Sequence, residues 1–115
     1  MEKERDLFLA GVEHFNATRF YESHEEWEEV WLVSEDPKKL FYQILILLAA
    51  VGVHYQKGRT SAAQRAKQKI QRKIEELKKS PCEVFGLRVN DLKEILAQFM
   101  VQKDLAKPII KLAGV

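Results

Sequence analysis

The chain has 115 residues, 46% of them hydrophobic and 31% charged, with a formal net charge of +2. That length suits one domain with its own hydrophobic core, and that composition excludes a disordered tail or a fibrous repeat. Three prolines and five glycines are too few for an all-β domain of many turns, and the lone cysteine, Cys82, excludes an internal disulfide or a cysteine-based zinc site within one chain.

Residues 1–10 mix acids and bases and do not read as a secretory signal. The longest apolar run, residues 44–53, is shorter than the roughly 20 residues that cross a bilayer. No membrane partner is expected, and a reducing cytoplasm is the expected compartment. The charge is unevenly spread. Residues 1–36 carry a net −8 and residues 57–79 a net +7. Such blocks can attract each other across one fold or make complementary contacts between subunits.

Five helical segments are predicted, forming an all-α bundle in a single domain over residues 1–115. The first covers about residues 3–16, where Phe8, Gly11, Val12 and Phe15 recur at helical spacing, and a turn at residues 16–18 follows. The second covers about residues 20–33. With Phe20 at zero and about 100° per residue, His24 falls near 40°, Trp27 near 340° and Trp31 near 20°, with Glu28 on the shoulder near 80°. The inward stripe is therefore expected to hold a histidine and a carboxylate. Glu25 sits at its border, and Glu22, Glu26 and Glu29 face solvent.

Asp36-Pro37 reads as the start of the third helix, with the aspartate as cap and proline in the first helical position. This helix runs to about Lys57 and stops at Gly58. It is apolar nearly all round, so it is expected at the centre of the bundle or at a subunit interface. Gln43 and His54 share one of its faces with Leu47 and Ala50. The fourth helix, capped by Thr60 or Ser61, buries Ala63, Ala66, Ile70, Ile74 and Leu77 and ends at Ser80-Pro81. A connector at residues 81–89 leads to a fifth helix, capped by Asn90, with Leu92, Ile95, Leu96 and Phe99 inward. Pro108 separates from it an apolar strap at residues 109–112. No internal repeat is evident.

The element with chemical content is His24-Glu25-x-x-Glu28-x-x-Trp31. Positions i and i+4 are helical neighbours, so His24 and Glu28 can touch. A buried imidazole and a buried carboxylate are costly unless hydrogen-bonded, so they satisfy each other or hold a guest. The metalloprotease helix motif is excluded, because it needs a second histidine where Glu28 stands. The favoured reading is a closed polar network of His24, Glu28, Gln43 and Tyr42 that fixes helix register. The alternative is a metal site in which His24, Glu28 and His54, with His14 less favoured, hold zinc, manganese or iron and Glu25 serves as base. Trp27 and Trp31 read as core residues. No base stands beside Cys82 in the sequence, which argues against a nucleophilic role.

The stretch Phe15-Asn16-x-x-Arg19-Phe20-Tyr21-Glu22-x-His24-Glu25-x-x-Glu28-x-x-Trp31 resembles the signature of a small bacterial and archaeal family, domain-of-unknown-function family three hundred and nine. Residues 41–46, His54 and the Pro108-Ile109-Ile110-Lys111-Leu112 tail are similar to it as well. There are departures. The family usually has a glycine near Ala17 or Thr18, an aliphatic residue at Trp27, and a Gly-Ala pair where this chain has Ser61-Ala62-Ala63. The resemblance implies a compact helical bundle and the family positions His24, Glu25, Glu28, Trp31 and Gln43, and it implies no activity.

These readings lead to a non-enzymatic binding or interaction module, with a homodimer through the third helix as its suggested assembly and no cofactor expected. The alternative is a metal-dependent hydrolase or related enzyme built on His24, Glu28 and His54. Nucleic-acid binding by the basic fourth helix is disfavoured, because no aromatics are interleaved with its bases to stack on nucleobases.

Overall fold

The computed structural model describes residues 2–101, 110 and 111. Its helices are α1 (Glu2–Asn16), α2 (Phe20–Val33), α3 (Lys38–Gln56), α4 (Thr60–Leu77) and α5 (Val89–Val101). Successive helices pack on one another from α1 to α4, and α5 closes against α3 and α4. The all-α bundle expected from periodicity is what forms, with α3 between α2 and α4. α3 is long and apolar enough by composition to cross a membrane, but it is the central helix here, with Phe41, Ile44, Leu45, Leu48 and Val51 fully buried.

α1 and α2 approach closely because Gly11 has no side chain. A Cβ at Gly11 would lie 2.1 Å from Nε1 of Trp27. Trp27 is fully buried and donates to the Phe8 carbonyl at 3.2 Å, and the buried Ser23 hydroxyl donates to the Gly11 carbonyl. α2 meets α3 through a second close approach, where a Cβ at Gly52 would lie 2.4 Å from the Phe20 ring.

The sequence has no repeat, but the backbone is alike at two junctions. The α1–α2 and α3–α4 hairpins share one build at an offset of 40 residues. His14 and His54 each supply the carbonyl that accepts from the N–H of Arg19 and Arg59, at 2.8 Å in both cases. Thr18 (φ 61°) and Gly58 (φ 70°) occupy the same left-handed position. Arg19 (φ −91°, ψ 70°) and Arg59 (φ −92°, ψ 68°) then start the next helix with nearly identical backbones. Each junction is a Schellman helix end. Phe99 of α5 is wedged between the two hairpins. Its ring lies 6.1 Å from both Phe15 and Phe20 and 6.2 Å from Tyr55.

Several helix ends differ from expectation. Pro37 is the N-cap of α3 rather than its first residue, its bond to Asp36 is cis, and no side chain caps the helix. α4 starts at Thr60 after Arg59, again without a side-chain cap. α5 starts before Asn90, and its cap is made by the Asp91 carboxylate, which accepts from the Arg88 N–H at 2.7 Å. Within α4, Lys67 is buried where Ala66 was expected. Its ammonium donates to the Phe99 carbonyl at 3.2 Å and lies 4.9 Å from the Tyr55 ring. That carbonyl lies near the C-terminal end of α5, where the helix dipole is negative, so the cation is well placed.

In the connector, Val84 and Leu87 exchange backbone hydrogen bonds of 2.9 Å around Phe85 and Gly86, both at positive φ. Phe85 packs on Phe8 at 5.4 Å. Of the expected strap, Pro108, Ile109 and Leu112 lie outside the described residues. Ile110 is buried, and its N–H and C=O both pair with the Asn16 side-chain amide, at 2.7 and 3.1 Å.

Candidate functional site

The inward stripe of α2 is Phe20, Ser23, Trp27 and Val30. It is turned by roughly 40–60° from the stripe expected around Phe20, His24 and Trp31. Ser23 enters the core because the Gly11 carbonyl accepts its hydroxyl, and that draws the whole helix face round. His24 and Glu28 are consequently displaced to the flank. They do face each other, with Nε2 and Oε2 3.8 Å apart, but their side chains are 32% and 50% exposed. The closed, water-free network expected of them is not what forms. Tyr42 is not part of it either. Its hydroxyl donates to Glu4 on α1 at 3.0 Å, and burial, reinforced by the Glu4 charge, pushes the phenol well above its ordinary range.

The flank that carries His24 and Glu28 borders α3. Two observations set the register of these antiparallel helices: Phe20 abuts Gly52, and the Lys39 ammonium lies 4.8 Å from the half-buried Trp31 ring. Glu28 is thus level with Gln43, and His24 with Leu47. The outward side chains of α3, among them Gln43, Ile46, Leu47, Ala50, Val53 and His54, are only half-covered. On the α2 edge, Tyr21 and Leu32 are 59% and 63% exposed, and the Tyr21 ring is stacked at 19° to that of His24, 6.4 Å away. Glu25 on this edge is exposed. On the opposite edge, α4 offers the half-buried Ala62, Ala66 and Lys73 and the exposed Arg65 and Lys69. The result is a face with an apolar centre, an acidic α2 rim and a basic α4 rim.

His54 stands two turns from Leu47 on α3, about 10 Å along the axis, and so about that far from the level of His24. Among the described residues no three His, Cys, Asp or Glu side chains converge as a metal-binding group. His24 and Glu28 are together and His54 is not with them. The Nδ1 of His54 is covered and has no hydrogen-bond partner among the described residues. That desolvation, followed by the nearby Arg59, Arg65 and Lys57 charges, holds its pKa below the ordinary histidine value. His14 instead accepts at Nδ1 from Arg19 Nε at 3.0 Å and approaches Glu26 at 4.0 Å, on the α1 side of α2.

A separate cleft of about 860 Å³ opens where α1 begins and α2 ends. Leu7, Val30, Leu32 and Val33 line it, with Cys82, whose thiol burial pushes to a higher pKa. Glu4 at its wall is already paired with the Lys38 ammonium at 3.1 Å. Sequence reasoning missed both this cleft and the buried Lys67, since neither has a local pattern.

The family model described as a domain of unknown function, DUF309, matches residues 8–66. The chain belongs to this family. The matched DUF309 segment runs from α1 into α4 and includes both hairpin turns and the α2–α3 half of the face just described. No curated protein and no solved structure matches the chain.

Proposed function

We propose that this DUF309 chain is a non-enzymatic interaction module that binds a protein surface through the outer face of α3. The observation that carries the reading is the apolar centre of that face. Ile46, Leu47, Ala50 and Val53 stand only half-buried on the most hydrophobic helix, beside the exposed Tyr21. Scattered exposed apolar residues mean little, but a contiguous patch with polar rims marks a contact surface. Exposed aromatics and a half-buried tryptophan are also the residue types that anchor interfaces.

In this reading His24, Glu28, Trp31 and Gln43 form the recognition rim. Half-exposed, they keep polar atoms available to a partner, which a closed internal network would not. A photo-crosslinking residue placed at Leu47 and, as control, at the exposed Gln64 tests this in cells. Adducts to protein from position 47 and none from position 64 are expected. Absence of adducts from both 47 and Ala50 overturns the reading. So does stoichiometric binding of zinc, manganese or iron that His24→Ala abolishes, which would restore the hydrolase alternative.

A further inference from the structure

The two charge blocks of the sequence are not neutralised against each other inside one chain. On the flanks that border the outer face of α3, α2 presents Glu25 and Glu28 and no lysine or arginine, whereas α4 presents Arg65, Lys69 and Lys73. α3 lies between them. The ion pairs of the described residues are His14–Glu26, His24–Glu28, Lys38–Glu4, Lys78–Glu75 and Arg88–Asp91, so none joins α2 to α4. An acidic rim and a basic rim on either side of an apolar stripe form a self-complementary surface.

We infer that the occupant of the α3 face is a second copy of this chain, related by a two-fold axis lying along α3, so that the α2 rim of each protomer rests on the α4 rim of the other. This rests on the reading of the α3 face as a contact surface and adds its partner and orientation. A closed dimer of this kind is isologous, the same patch serving both sides. Two face-to-face arrangements have an axis parallel or perpendicular to the central helix. With a perpendicular axis in the interface plane, α2 would lie on α2 and glutamates would face glutamates. With the axis along α3, distances along the helices are preserved while the two rims exchange, and opposite charges meet.

The register carries the match to individual levels. Glu28 is level with Gln43, as the α2–α3 contacts require. Counted equally in both directions from the Gly58 turn, Gln43 is level with Lys73. The same count sets Glu25 near the level of Lys69. Leu47 and Ala50 then pack on their own copies at the centre, where burial of apolar surface drives association and the rims fix the orientation.

Sedimentation equilibrium of the full chain tests this. A species of twice the 13.4 kDa chain mass is expected at about 100 µM protein, a range suited to micromolar dimers. Leu47→Arg is expected to leave a folded monomer, and Ala50→Arg is the second variant if the first does not fold. Glu25→Lys/Glu28→Lys and Lys69→Glu/Lys73→Glu are each expected to weaken self-association about tenfold, the sum of several rim pairs. Mixed together, these two variants are expected to form a heterodimer as tight as the wild-type dimer, because every rim contact is again between opposite charges.

A wild-type monomer at that concentration overturns self-association, and crosslinks from Leu47 to a different protein would then leave the contact-surface reading standing. A dimer indifferent to both Leu47→Arg and Ala50→Arg places the interface elsewhere. A complex of Glu25→Lys/Glu28→Lys with wild type that is tighter than the wild-type dimer overturns the axis in favour of α2 on α2, because only there does the substitution replace like charges by opposite ones.

Discussion

Replacing Thr18 by glycine should stabilise this protein. Thr18 has φ 61° at the end of α1, a left-handed conformation in which an L-residue costs about 1–2 kcal/mol, with β-branched side chains among the worst placed. Glycine removes that strain but gives the unfolded chain more freedom, which offsets about 0.5–1 kcal/mol. The Thr18 hydroxyl donates to the neighbouring Ala17 carbonyl at 2.6 Å on an exposed turn, so its loss takes away a few tenths of a kcal/mol at most. The net expectation is a gain of about 0.5–1 kcal/mol, or roughly 2–4 °C in Tm for a chain of this size. The second hairpin supplies the control. Gly58 has φ 70° at the matching position, and a Cβ there would meet nothing within 4 Å. Gly58→Ala therefore isolates the backbone term and should cost about 1 kcal/mol. Urea unfolding of both variants at constant m-value measures the pair. A neutral or destabilised Thr18→Gly, together with a Gly58→Ala that costs nothing, would show that the two turns do not share the conformation argued for them.

Gly11→Ala should destabilise by about 1–3 kcal/mol, because the new Cβ would press on the buried Trp27 ring and overpack the α1–α2 contact; a near-neutral result in chemical denaturation would contradict that close approach. Asn16→Ala should cost about 1–2 kcal/mol and deprotect the Ile110 amide in hydrogen exchange, since both backbone groups of Ile110 pair with the Asn16 amide. Lys67→Met should cost about 1–2 kcal/mol through the lost bond to the Phe99 carbonyl and the lost contact with the Tyr55 ring. His54 should titrate by NMR below the ordinary histidine value. Its folded pKa is depressed, so its contribution to stability is present above about pH 6.5 and fades as pH falls through the lower folded value. Arg65→Ala should move that titration upward, and an unshifted or raised midpoint in the unmodified chain would refute the burial of Nδ1.

The helices of this fold were legible because their signals are local. α2 begins and ends at the residues its apolar periodicity marks, and α1 differs by one residue. The caps were less legible, because Asp36, Thr60 and Asn90 fit the composition of a cap while the backbone takes its first turn elsewhere. The rotation of α2 was hidden for a different reason. A helical wheel weighs a serine as polar and turns it outward, whereas the Gly11 carbonyl makes Ser23 one of the best-placed residues in the core. The signal that could have revealed it is Gly11 itself, an unexplained glycine inside a helix that must pack against something large. The pairing of His24 with Glu28 follows from i,i+4 spacing alone and so survived the error in rotation.

The two hairpins explain why the signature of the chain divides into two kinds of residue. Phe15, Asn16, Arg19 and Phe20 are used by packing: a core ring under Phe99, a clamp on Ile110, a helix start and a ring on Gly52. In the second hairpin, at the offset of 40, Tyr55 takes the place of Phe15, Arg59 that of Arg19 and Lys67 that of Trp27. Backbone geometry repeats while side-chain chemistry does not, which is why the sequence conceals the relation. His24, Glu28 and Trp31 have as their counterparts Gln64, Gln68 and Gln71, all exposed on α4. On α2, His24 and Glu28 lie outside the core, whereas the half-buried Trp31 packs against it. The position of His24 and Glu28 along the edge of the half-buried apolar face of α3 therefore fits the contact surface proposed for that face.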